Sequence, residues 1–488
     1  MLHSDDIDDL EAKCICFECV GEAYLSEEIK QYGGIEHCCY CQQTAESYTI
    51  RDMAERVATA FEDHFYRTPD QPDFWQRGLL SDPESDYVWV RDGYPVVDAI
   101  QDAAEIPQDA AIEVLAVLDY RRCDHELARM GEETEFSPDS YYDQIGPSDD
   151  TWQEEWRTFE QSLKGEARFF NRIAASHLAS VFGGIDRLLT ADGRTPVLDA
   201  GPDLEIEHLY RARVFQSDDT LKEAVGRPDL HLGSPPARLA SAGRMNARGI
   251  SVFYGTTDAS VAIAEVRPPV GSNVAVARFN IIRLLRLLDL TALENVQDGG
   301  SIFDPAFKGR LEKVAFLQSL AQRITRPIMP DDEAFDYLAT QAIADFLATA
   351  NDPLLDGIIF PSAQAKDGRN VVLFQKAARV EMMRFPESTE IEVRSGWETD
   401  EGWETEYSVT ECVPPSPEIL SKQEDEGPHV SLFPDVADLT EASEGDTRVS
   451  ALRIDPKSVA VHQVNWVEYR STPYKVDRNR YKKHELKM

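Results

Sequence analysis

The chain has 488 residues, 42% of them hydrophobic, which is enough to bury at least two cores. Its 88 acidic against 49 basic residues leave a formal net charge of −39, a surface that repels phosphate backbones and makes nucleic acid an unfavoured partner. The start, MLHSDDIDDLEAK, has neither a basic nor an apolar leader region, and no run of eighteen apolar residues occurs, so a soluble, cytoplasmic protein of two or three domains without a membrane partner is expected.

Cys16 and Cys19 form a C-x₂-C knuckle, and after eighteen residues Cys38 and Cys41 form another. Two such knuckles can close a tetrahedron of thiolates around one ion, so residues 1–45 read as a structural zinc site with Cys16, Cys19, Cys38 and Cys41 as ligands. Cys14, His37 and Cys39 crowd the same places and leave the ligand set open. Six of the eight cysteines lie within the first 41 residues, which leaves no disulfide framework for the rest of the chain.

From Ile50 an apolar period of four begins, through Met53, Val57, Phe61 and Phe65, and helices are expected at about 95–128 and 152–192 within a helical region spanning 46–200. The Gly201-Pro202 turn leads into a mixed α/β region at 203–393. There Ile250, Val252 and Tyr254 alternate as a strand, and Thr256 or Thr257 is the expected N-cap of a short helix ending near Glu265. A strand at 272–279 follows, then helices at about 305–325 and at Glu333 to Ala350. Leu338, Ala342, Phe346 and Ala350 form the expected packing stripe of the last helix. No G-x-G-x-x-G turn opens a helix, so a dehydrogenase-type dinucleotide fold has no support. Residues 394–448, where GWET occurs twice, are too polar to bury a core and are expected as a mobile insertion. Strand-like alternation returns at 449–475, and a basic tail occupies 476–488, its positive charge already beginning at Lys475.

Three segments carry a resemblance: LYRAR at 209–213, GRMN through AEV at 243–266, and FPS followed by GRNVVLF at 360–374. Together they resemble the RES domain, a family named for its Arg, Glu and Ser and related in fold to ADP-ribosyltransferases. The resemblance covers about 205–380. It implies a twisted mixed sheet with flanking helices, so that, with the zinc knuckle and the helical N-terminal domain ahead of it, an α+β chain is expected. The helical region in turn looks like a HEPN/RES N-terminal domain, with Arg172 and His177 at the spacing of a HEPN ribonuclease motif. Ile173 stands where such motifs place a polar residue, which favours a structural role for the pair. Met245 also departs from the family's pattern, which often has tryptophan after the arginine.

The resemblance implies an NAD⁺-consuming, toxin-like enzyme that cleaves the nicotinamide–ribose bond by hydrolysis, phosphorolysis or ADP-ribosyl transfer. Cleavage builds positive charge at the anomeric carbon, for which Glu265 is the candidate carboxylate. Arg244 offers a planar fork for the pyrophosphate, with Arg211 as second choice. Tyr254 can stack on nicotinamide with its hydroxyl at the wet rim, and Ser362 and Asn370 offer hydrogen bonds to a ribose or the carboxamide. A protein antitoxin or activator and self-association are the partners left open. Two other functions fit the residues: a HEPN-type ribonuclease with a nucleotide-sensing RES region, and a non-catalytic module that binds NAD⁺ or a protein.

Overall fold

The computed structural model describes residues 4–326, 328–400, 402–414, 446–468 and 471–480. The chain is mixed α/β and divides into two compact units: Met1–Pro196 with Ala292–Ile324, and Val197–Thr291 with Thr325–Met488. Among the described residues no helix is long and apolar enough to cross a membrane.

In the first unit, Thr44–Thr49 pairs with both Cys14–Cys16 and Gly34–His37 in a three-stranded antiparallel sheet. Thr49 then caps the helix Ile50–His64. Its hydroxyl accepts the Asp52 N–H at 3.1 Å, and the Asp52 carboxylate accepts the Thr49 N–H at 3.2 Å, so two amides that the helix leaves unpaired are satisfied. The apolar period starting at Met53 stays helical through Val57 and Phe61. Phe65 lies past the helix end, with its ring stacked on Phe61 at 4.3 Å. This face shares one buried cluster with helices Val96–Ala104 and Gln108–Arg122. Ile15, Val20, Leu25 and Ile29 of the cysteine-bearing segment belong to that same cluster, each contributing about 1.5–3 kcal/mol by burial.

The two long helices expected at 95–128 and 152–192 are each broken. Pro107 starts a new helix at Gln108, and Asn171 caps Arg172–Phe182 by accepting the Ala174 N–H at 3.0 Å. Arg172 is exposed at the start of that last helix. His177 points inward, its ring 5.9 Å from Trp156 and 5.6 Å from Phe159. Burial holds the imidazole below its ordinary pKa, against the pull of Glu155, whose carboxylate lies 3.5 Å from Nδ1.

The second unit is built on a ten-stranded mixed sheet. Its order runs Val380–Glu381, Leu452–Ile454, Asn273–Ile281, His208–Phe215, Phe253–Thr256, Arg369–Leu373, Gly357–Pro361, Leu285–Asp289 and Val197–Ala200, with Ala460–Gln463 also paired to Asn273–Ile281. Leu209, Phe253, Phe279, Val371 and Leu373 fill the core on one face. On the other, Ala212, Val274 and Val276 pack against Ala262 of the helix Ala259–Glu265.

Several local expectations change here. The strand expected from Ile250 begins at Phe253, because Asn246 and Ser251 side chains bind the Ile250 and Pro235 carbonyls and hold residues 250–252 off the ladder. Asp258, rather than either threonine, caps the following helix by accepting the Ser260 N–H at 2.7 Å. Along Glu333–Thr349 the buried stripe is Ala339, Thr340, Ile343, Ala344 and Leu347, rotated from the expected one, and Ala350 is exposed. Where a loop was expected, Glu390–Arg394 pairs with Ser408–Cys412 and Trp397–Thr399 with Gly402–Glu404. The stretch at 415–445 and the tail beyond Arg480 lie outside the described residues.

Candidate active site

Glu265 is the last residue of the helix Ala259–Glu265, which Val261 and Ala262 anchor by burial. Its Oε1 accepts two hydrogen bonds, from the Ser362 hydroxyl at 2.5 Å and from the Asn370 side-chain amide at 2.8 Å. Asn370 is 8% exposed and comes from the central strand Arg369–Leu373. Ser362 follows the neighbouring strand Gly357–Pro361, and its N–H donates to the Gly368 carbonyl at 2.7 Å. A Cβ at Gly368 would sit 2.9 Å from a Val261 methyl and 3.1 Å from Ser362 Cβ, so only glycine lets this loop close on the helix. The Ser362 oxygen in turn accepts the Gln364 and Ala365 N–H groups at 3.0 and 3.1 Å. With both acceptor directions used by the backbone, its single hydrogen is committed to Glu265.

Arg244 belongs to a second group. Gly243 and Asn246 bridge a tight turn, with the Gly243 N–H donating to the Asn246 carbonyl at 2.9 Å. The Tyr254 hydroxyl donates to Asn246 Oδ1 at 2.9 Å and accepts the Met245 N–H at 3.1 Å, so it is engaged within the protein rather than at a wet rim. Burial pushes the Tyr254 phenol up to about 12. The Arg244 guanidinium lies 5.3 Å from the Tyr337 ring and donates to the Arg326 carbonyl at 3.0 Å.

Strand register relates the two groups. Tyr254 pairs with Val372, while Thr256 pairs with Asn370 and Tyr210, so Tyr254, Thr256, Asn370 and Tyr210 share one face of the sheet. Tyr254 and Thr256 are two residues apart, roughly 7 Å along the strand, which sets the tyrosine one row from the asparagine that holds Glu265. Arg211 alternates with Tyr210 and is on the opposite face, its guanidinium 5.2 Å from the Phe253 ring and 3.4 Å from the Tyr254 carbonyl. Burial lowers it to about 10, which leaves it cationic at neutral pH. Glu265, Ser362 and Asn370 are thus in contact, Tyr254 and the Arg244 turn adjoin them on the same face, and Arg211 stands apart. A cavity of about 360 Å³ in the same unit, lined by Ser234, Ile250, Arg379, Asp446 and Arg448 among others, includes none of these six residues.

Sequence reasoning passed over Asn246, Gly368, Tyr337 and Thr340. The first two stand inside the quoted GRMN and GRNVVLF strings. The last two belong to a helix whose composition marked it only as packing.

In the first unit, the Sγ atoms of Cys16, Cys19, Cys38 and Cys41 all lie within 4.8 Å of one another. Cys16 and Cys41 are 3.5 Å apart and Cys19 and Cys38 3.8 Å, close to the roughly 3.8 Å edge of a tetrahedron built on 2.3 Å zinc–sulfur bonds. Burial disfavours ionisation of Cys38, but the N–H groups of Cys41, Cys16 and Tyr40 outweigh it and lower this thiol to about 6. Burial and the neighbouring sulfurs push Cys16 and Cys19 up, a shift that a bound cation would oppose. The three competing ligands are engaged or turned elsewhere: Cys14 Sγ faces the Ala12 carbonyl, His37 Nε2 faces Gln42, and Cys39 is exposed. The four close cysteines could hold one zinc ion.

Neither the curated proteins nor the solved structures provide a match. Residues 209–393, which contain every residue of the Glu265 and Arg244 groups together with Arg211, match the family model of the RES domain. The chain carries a RES domain at residues 209–393, which lie in the second unit except for residues 292–324.

Proposed function

We propose that the RES domain degrades NAD⁺ by breaking the nicotinamide–ribose bond, as a toxin-like glycohydrolase, phosphorylase or ADP-ribosyltransferase. The observation that carries this reading is the Glu265 carboxylate, fixed through one oxygen by Ser362 and Asn370. Both supports meet the same oxygen, Oε1, which leaves Oε2 for substrate. When the bond breaks, nicotinamide leaves with the electron pair and the ribose becomes an oxocarbenium ion. Glu265 stabilises that positive charge, and an acceptor (water, phosphate or a protein nucleophile) then attacks the anomeric carbon and loses its proton. Arg244 anchors the pyrophosphate, and Tyr254 shapes the same face.

The first unit holds a structural zinc ion on Cys16, Cys19, Cys38 and Cys41, supported by sulfur spacings that fit one tetrahedral ion. A cytoplasmic setting and a restraining protein partner complete the reading, since uncontrolled NAD⁺ loss harms the producing cell. The test is to incubate the purified full chain with NAD⁺ and follow free nicotinamide. No release above a buffer control, across water, phosphate and protein acceptors, overturns the enzymatic reading.

A further inference from the structure

We infer that Asn246 is a positioning residue, acting through the Tyr254 hydroxyl to set the backbone on which Arg244 meets the dinucleotide. The inference rests on the proposed function. Asn246 is 4% exposed, and its amide nitrogen faces three backbone carbonyls, those of Ser241 at 2.8 Å, Ile250 at 3.0 Å and Ala247 at 3.2 Å. Three acceptors on one side fix the orientation of the amide, because the flipped rotamer would point its oxygen at all of them. Oδ1 must therefore face Tyr254 and take its hydroxyl hydrogen. With that hydrogen committed, the phenol oxygen presents a lone pair to the Met245 N–H, the amide of the peptide that follows Arg244.

The same turn is gripped from its other side. Thr340 Oγ1 donates to the Arg244 carbonyl at 2.5 Å and Gln341 Nε2 to the Gly243 carbonyl at 2.9 Å, both from the helix Glu333–Thr349, while Tyr337 of that helix lies against the guanidinium. No slack remains at Gly243, where a Cβ would stand 2.7 Å from both Asn246 Oδ1 and the Tyr254 hydroxyl. An arginine is long and rotamer-rich, so its value as an anchor depends on a fixed backbone beneath it. The Asn246–Tyr254 pair supplies one half of that fixation and the Thr340–Gln341 pair the other.

The test is a double-mutant cycle read by NAD⁺ affinity and steady-state kinetics on the full chain: wild type, Asn246→Ala, Arg244→Ala and the double variant. If Asn246 acts through Arg244, Asn246→Ala weakens NAD⁺ binding about tenfold, chiefly as a rise in KM, but costs less than about twofold once Arg244 is already alanine. Equal losses in both backgrounds, or undiminished affinity in Asn246→Ala, overturn the inference, because a merely structural asparagine would not couple to Arg244. Asn246→Ser carries the same expectation should the alanine variant not fold. A wild type that does not bind NAD⁺ defeats the proposed function and the inference with it, whereas an Arg244→Ala variant that binds NAD⁺ normally overturns the inference alone, because Arg244 is then not the anchor.

Discussion

Ser362 donates its hydroxyl hydrogen to Glu265 at 2.5 Å while its oxygen is held by the Gln364 and Ala365 amides. The serine is thus an orienting group for the carboxylate, and Asn370 provides a second support at 2.8 Å. The three side chains come from a helix, a loop and a strand, so the carboxylate is fixed by elements far apart in the chain.

Glu265→Gln keeps the shape of the side chain and removes its charge. If Glu265 stabilises the oxocarbenium ion, nicotinamide release should fall by about two to three powers of ten while NAD⁺ still binds. Near-wild-type release by this variant would remove Glu265 from the mechanism.

Ser362→Ala is expected to be milder. It leaves the charge in place and frees one of the two supports, so kcat should fall by roughly tenfold with KM little changed. Since the serine acts through Glu265, adding Ser362→Ala to Glu265→Gln should cost almost nothing further. Additive losses would mean that Ser362 touches substrate independently.

Arg244→Lys retains the cation but loses the planar fork and its stack on Tyr337. Weaker NAD⁺ binding is expected, whereas Arg211→Lys, changed on the opposite sheet face, should leave affinity near that of wild type. The reverse ranking, obtained with folded proteins, would make Arg211 the anchor.

How much of this was legible in the sequence follows from the range of each interaction. The four metal-site cysteines stand out because both knuckles are local spacings, and the GRMN and FPS strings mark positions where glycine or a small polar residue is needed. The late start of the Phe253–Thr256 strand was not legible, because it depends on Asn246 and Ser251 binding carbonyls that only the folded turn brings near. The helix Glu333–Thr349 is apolar on several sides, so its periodicity did not reveal which stripe is buried, nor that Thr340 and Gln341 grip the Arg244 turn. The sheet order was equally hidden: Phe253–Thr256 pairs with a strand more than a hundred residues later, a choice that no local pattern records.

His177 gives a pH dependence. Burial between Trp156 and Phe159 holds its folded-state pKa below the ordinary value of about 6.5, so the unfolded chain binds more protons in this range. Its contribution is present above pH 6.5 and is lost progressively as pH falls from there through the lower folded-state value. His64 in the same unit is shifted in the same direction by burial. The first unit should therefore melt at lower temperature at pH 5.5 than at pH 7.5. His177→Phe, which keeps an aromatic ring and removes the titration, should reduce that difference. An unchanged pH slope in the variant would show that the imidazole titrates freely.

Metal removal gives the last prediction. Elemental analysis should find about one zinc per chain, and Cys16→Ser with Cys19→Ser should release it. Because Ile15, Val20, Leu25 and Ile29 are buried with Met53, Val57 and Phe61, loss of the ion should loosen more than the knuckle. The helix Ile50–His64 should gain hydrogen exchange along with the Cys14–Cys16 strand. The RES sheet has its own core around Leu209, Phe253 and Phe279, so its exchange and its intrinsic NAD⁺ cleavage should persist. Faster exchange confined to residues 14–41 would mean that the knuckle folds independently of the helices. Metal-free wild type of full stability would show that the four thiols need no ion.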